Sequence, residues 1–152
     1  MFKYCLILFF SIHLHAGIYP DYQGLMNDNE GLLPPASEWY LNKKIIKKQK
    51  QTNHALMLLT VSNYADQSNL RDYLMRLYKH WKIKPTVFEN SVILFVSKSK
   101  NEVRLFVGKK ISDIFPKKKR QQILDHTIRP AIKKGKYKKG IKKGMIEILP
   151  FL

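Results

Sequence analysis

The sequence predicts a single α/β domain, and its apolar patterning is the reason. Ala55–Val61 and Val92–Val96 are short unbroken apolar runs, as expected of strands covered on both faces. Between them Leu70, Tyr73, Leu74, Leu77, Tyr78 and Trp81 recur at helical spacing, which makes a helix with one buried side. Helices that alternate with buried strands pack in layers. A length of 152 residues suits one domain, and a 45% hydrophobic share can fill a core. A wholly disordered polybasic chain is thereby excluded.

Residues 1–17 have the layout of a secretory signal peptide: Lys3, the apolar run Cys5–Ile12, then the small pair Ala16-Gly17. That run is too short for a membrane span, which needs about 20 residues, and no later stretch is long enough. The expected protein is periplasmic or secreted, without a transmembrane segment after processing. Residues 18–33 carry Pro20, Gly24, Asn27-Asp28-Asn29 and Gly31, so an extended lead-in loop is expected. The folded domain then spans residues 34–152.

Pro34-Pro35 opens the first helix, because a fixed φ and a missing N–H cost nothing in a first turn. Trp39, Leu41, Ile45 and Ile46 are assigned to its apolar side, and Lys43, Lys44, Lys47 and Lys48 to its wet side. Ser68 is the expected N-cap of the second helix. After the turn-like Ser97–Asn101, Val103, Leu105 and Val107 alternate with Arg104 and Phe106, so Glu102–Val107 pairs antiparallel with the preceding strand. Ile123, Leu124 and Ile128 mark a helix that Pro130 should bend or end. Tyr137, Ile141, Met145, Ile148 and Leu149 mark another, beyond a break at Gly135.

Chemistry-bearing patterns are few. Cys5 is the one cysteine, which leaves no disulfide framework and no Cys-based zinc site. His54, His80 and His126 lack ligand spacing, and neither a phosphate-cradling glycine loop nor a G-x-S-x-G elbow occurs. No catalytic residue is assigned. Asp28-Asn29-Glu30 and Glu89-Asn90 lie in turn-like loops and could offer oxygens to a hard cation, but spacing alone favours the plainer role of bonding nearby backbone N–H groups.

Charge is the loudest feature. Lys+Arg number 28 against 11 Asp+Glu, a net +17, which favours partners rich in phosphate or carboxylate. From Lys98 to Leu152 there are 17 basic residues against 4 acidic ones. Lys138/Lys142 and Lys139/Lys143 are like-charge i,i+4 pairs that a bound polyanion would relieve; a solvated face accounts for them equally well. Nucleic acid gains support from charge but not from export, nor from an aromatic-interleaved basic motif.

Across residues 25–149 the chain resembles the TPM domain family of thylakoid-lumen acid phosphatase-like and bacterial envelope proteins. The resemblance rests on Asp28, Gly31-Leu32-Leu33, Pro35, Leu41, Ile45, Thr52 and Thr60-Val61. It continues through Tyr73–Trp81, Val92–Val96 and Val103–Gly108 to Pro130, Gly135, Tyr137 and Gly140-Ile141. It implies an α/β/α sandwich with a mixed central sheet that includes a hairpin, and helices on both faces. It also implies loops at one sheet end able to hold Ca²⁺ or Mg²⁺, and in some members acid phosphatase activity. On that basis Asp28, Glu89 and Asn90 are the expected metal ligands.

This chain departs from the family pattern in its loops. The family's Asp-Asn-Gly is Glu89-Asn90-Ser91, its Gly-Tyr-Gly-x-Glu is Gly108-Lys109-Lys110-Ile111-Ser112, and its Gly-Asp-Tyr is Gly135-Lys136-Tyr137. Lysines near a cation site repel the ion, and a lost carboxylate weakens its hold. The expected function is therefore a non-catalytic binding or accessory module for an anionic envelope component (phospholipid, lipopolysaccharide or acidic polymer) or for an acidic protein. Lys109, Lys110, Lys133, Lys134, Lys136, Lys138, Lys139, Lys142 and Lys143 would supply the attraction. The alternative is a metal-dependent, acid phosphatase-like enzyme.

Overall fold

The computed structural model describes residues 19–62, 64 and 69–152. The expected signal segment and Ser68 lie outside them. β1 (Met26–Asp28), β2 (Ala55–Thr60), β3 (Ser91–Ser97) and β4 (Glu102–Val107) form one sheet in the order β1-β2-β3-β4. The first three strands are parallel, and β4 closes the expected antiparallel hairpin, pairing Val92 with Val107 and Ser97 with Glu102. The sheet is mixed, as the family resemblance implies.

Strand periodicity sorts the core into two clusters. Leu56, Leu58, Val92, Leu94 and Val96 face one way, onto α1 (Pro35–Thr52) and the C-terminal helices, through Leu41, Ile45, Ile141 and Met145. Met57, Leu59, Ile93 and Phe95 face the other way, onto α2 (Leu70–His80) and the short α3 (Pro85–Glu89). This is an α/β/α sandwich. Tyr73 and Tyr78 are buried, as a core stripe requires, and Trp81 donates its Nε1–H to the Pro20 carbonyl at 2.6 Å. Asn69 caps α2, accepting from the Arg71 and Asp72 N–H groups.

The crossovers carry a topological consequence. Both β1–α1–β2 and β2–α2–β3 advance the same way across the sheet, yet α1 and α2 cover opposite faces. They therefore have opposite hands, and one belongs to the rare left-handed kind. α1 and α2, the helices that follow β1 and β2, thus lie on opposite sides of the sheet.

Three local findings differ from the sequence reading. β1 lies inside the predicted lead-in loop. Its buried Asn27 donates to the Gly24 carbonyl at 2.8 Å and accepts from the Gln23 N–H at 2.8 Å, so the burial leaves no orphaned polar group. Pro130 does not end its helix: α4 (Lys117–Ile123) passes through one π-helical stretch (Leu124–Ile128) into α5 (Arg129–Lys133). The wider turn accommodates a ring that lacks an N–H donor. Trp39 and Ile46 do not join the apolar side of α1; they are 67% and 39% exposed.

Gly135 ends α5, as expected, at φ +69°. The Gly135 N–H bonds the Ile132 carbonyl and the Lys136 N–H bonds the Ala131 carbonyl, a Schellman closure that favours glycine. α6 (Tyr137–Ile148) then packs Gly140 and Gly144 against Ile128 and Ala131. A final 3₁₀ turn covers Leu149–Phe151. Among the described residues no helix is long and apolar enough to cross a membrane.

Candidate functional site

Asp28 ends β1 opposite Thr60 at the end of β2. Its Oδ1 accepts from the Thr60 hydroxyl and its Oδ2 from the Leu33 N–H, both at 2.7 Å. Glu30 reaches over the same sheet edge, where its Oε2 accepts from the Lys98 N–H at 2.8 Å, and the Thr60 Oγ1 accepts from the Glu30 N–H. Glu38, in the first turn of α1, is the neighbour that sequence reading missed. Burial, and then the Asp28 charge, raise its pKa.

Glu89 and Asn90 lie at the other end of the sheet. Ala55, the first residue of β2, donates its N–H to the Asn90 carbonyl and registers with Ser91, whereas Asp28 registers with Thr60 at the last residue. Crossing those six residues takes roughly 17 Å at the strand rise. The three expected ligands are therefore not brought to one ion, because they belong to opposite strand ends. Glu89 is already engaged: Oε1 takes Arg71 Nη2 at 2.7 Å and Oε2 takes the Lys109 N–H at 2.8 Å. Arg71 also lies over the Phe88 and Phe106 rings, a stacked guanidinium that holds the acid in place. The Asn90 amide donates to the Thr86 carbonyl. Lying at opposite ends of β2, Asp28 and Glu89 do not form the donor set of one shared divalent ion.

The loop lysines fall at the Glu89 end. Gly108 lets that loop close, since a Cβ there would meet the Glu89 carbonyl oxygen at 2.3 Å. Lys110 lines a polar cleft of about 300 Å³ with Gln49, Asn53, Thr86 and Asn90. Lys109 contributes its backbone to the Glu89 contact rather than a place in that cleft.

The helix lysines form a separate surface. Lys138, Lys139, Lys142 and Lys143 line a shallow groove of about 440 Å³ with Ile146. Lys133, Lys134 and Lys136 are exposed around the α5–α6 turn but do not line it. Lys142 Nζ lies 4.8 Å from the centre of the Tyr40 ring, which Lys44 also approaches at 5.1 Å, and Lys43 stands over Trp39 at 5.2 Å. Rings and ammonium groups of α1 thus continue the α6 lysines, held partly by cation–π attraction. Helical geometry holds the missed signal: Trp39 is two residues from Leu41, about 200° around the helix, so the two cannot share a buried face.

The TPM domain family model matches residues 26–149. Solved structures give the same architecture. The N-terminal domain of a protein from P. gingivalis is 21% identical at a TM-score of 0.71, covering 84% of this chain and 81% of that one. The BA42 protein of the psychrophilic bacterium Bizionia argentinensis is 18% identical at 0.63, covering 82% and 83%. The N-terminal domain of cg2496 from Corynebacterium glutamicum is 8% identical at 0.59, covering 85% and 80%. At such identities the likeness establishes fold alone. Comparison with curated protein sequences finds no match.

Proposed function

Because the chain belongs to the TPM domain family, we propose that it is an exported TPM module whose task is to bind an anionic component of the cell envelope without turning it over. The observation that carries this reading is the α6 lysine groove, continuous with the cationic and aromatic side of α1. Four lysines on one helix face repel one another, and a multivalent anion relieves that repulsion. The groove is shallow and lined by lysine side chains and Ile146, so recognition would rest on charge density rather than on the shape of one small molecule. The leader-like sequence of residues 1–17 supports export.

The test uses soluble inorganic polyphosphate. Calorimetry on the protein should show binding that weakens as salt rises and is lost when Lys138, Lys139, Lys142 and Lys143 are all changed to Gln. Binding that survives those four substitutions would remove the groove from the function. The phosphatase alternative loses its paired ligands, since Asp28 and Glu89 are apart. Phosphomonoester hydrolysis that needs Ca²⁺ or Mg²⁺ and disappears in Asp28→Ala, while the circular dichroism of the fold is unchanged, would reverse the assignment.

A further inference from the structure

We infer that the surface shared by α1 and α6 docks on an anionic lipid bilayer, with Trp39 as its interfacial anchor. This rests on the anion-binding reading and names its partner. Trp39 is 67% exposed and Tyr40 38%, on a helix whose buried side is already filled by Leu41 and Ile45. Large rings on the wet side of a helix contribute nothing to the core. Beside lysines they match the headgroup region, where an amphipathic ring sits between apolar and aqueous layers.

Charge complementarity selects the lipid. α1 carries Lys43, Lys44, Lys47, Lys48 and Lys50 against Glu38, and α6 carries four lysines against Glu147. The two helices touch where Lys142 covers Tyr40, so the positive charge is spread over an area rather than focused at a point. A spread of lysines rimming exposed aromatic rings fits a plane of phosphates better than one polymer strand. Lysine stems can lie along the surface while their ammonium groups stay wet. Each basic residue near an anionic membrane is worth about five-fold in affinity.

The experiment uses the Trp81→Phe protein, which leaves Trp39 as the reporter, mixed with vesicles of phosphatidylglycerol and phosphatidylcholine or of phosphatidylcholine alone. The expected result is a blue shift of Trp39 emission, and its quenching by brominated acyl chains, with the anionic vesicles only. Co-sedimentation of the otherwise unaltered protein should fall about a hundred-fold or more in affinity when the four α6 lysines become Gln. Trp39→Ala should weaken it without changing the circular dichroism of the fold. Sedimentation with anionic vesicles while Trp39 stays unshifted would overturn the inference, as would equal binding to pure phosphatidylcholine. If polyphosphate binds through the groove and vesicles do not, the bilayer falls and the anion-binding reading stands. If neither binds, both fall.

Discussion

Replacing Asp28 by Ala removes the acceptor of two hydrogen bonds that hold the β1–α1 loop, from the Leu33 N–H and the Thr60 hydroxyl at 2.7 Å each. Bonds to an ionised group contribute about 1.5–3 kcal/mol apiece, and a half-buried site favours the lower figure, so the loss is about 3 kcal/mol. Thr60→Val deletes one of those bonds and also the acceptor of the Glu30 N–H, a cost of about 2 kcal/mol. The two changes share one bond, so the double variant should be about 1.5 kcal/mol less destabilised than the sum of the singles. Urea unfolding of the four proteins measures this directly, provided the slope stays constant. Additivity within about 0.5 kcal/mol would show that Asp28 and Thr60 are not coupled and refute the account of Asp28 as a loop lock. The same variant should bind polyphosphate as the parent does, since the lysine groove lies on another element.

Two other perturbations test the packing. In Gly144→Ala the added Cβ would stand 2.4 Å from Ile128 Cγ1; the overpacking should cost about 1–3 kcal/mol, visible as a lower thermal midpoint and partly recovered by Ile128→Val. Alkaline titration monitored near the phenolate band should show Tyr64, Tyr73 and Tyr78 ionising at about 12, chiefly because burial disfavours the phenolate. Their pKa values are raised on folding, so the linked stability is intact below about pH 10, the unfolded value, and is lost as pH climbs through 12. Full ionisation of these rings near pH 10 in the folded protein would contradict their placement.

Period and turn chemistry made most of the architecture legible. The runs at Ala55 and Val92 became β2 and β3, the stripe from Leu70 became α2, and the turn before Glu102 became the hairpin. β1 was hidden because three residues among turn formers leave no periodicity, and its pairing with β2 is a long-range fact. Trp39 is apolar by residue type, but its angle on α1 puts it on the exposed side. The site is the least legible part of the sequence. Asp28 and Glu89 are each plausible as an oxygen donor in a loop, but only the strand register reveals that they sit at opposite ends of β2. Hydrogen bonds claim their carboxylates in ways that spacing along a chain does not encode.

The placement of charge along the helices bears on what kind of anion can be held. Helix N-termini are the usual phosphate sites, because free N–H groups and the dipole point there. In α1 that end carries Glu38 beside Asp28, which repels an anion. In α6 the first turn has no acid at all and instead holds Lys138 and Lys139, against the dipole. α6 therefore breaks a local rule that stabilises isolated helices, whereas α1, with Glu38 in its first turn and Lys50 in its last, obeys it; such breaks concentrate where a site must be built. Because Glu38 and Asp28 disfavour an anion at the α1 N-terminus, the proposed attraction would come from α1 and α6 side chains with flexible stems. Flexible point charges give breadth of recognition and steep salt dependence rather than selection of one phosphate ester. A surface of that kind suits an extended, repetitive anionic face, and gives little of the fixed orientation that hydrolysis of a single bond requires.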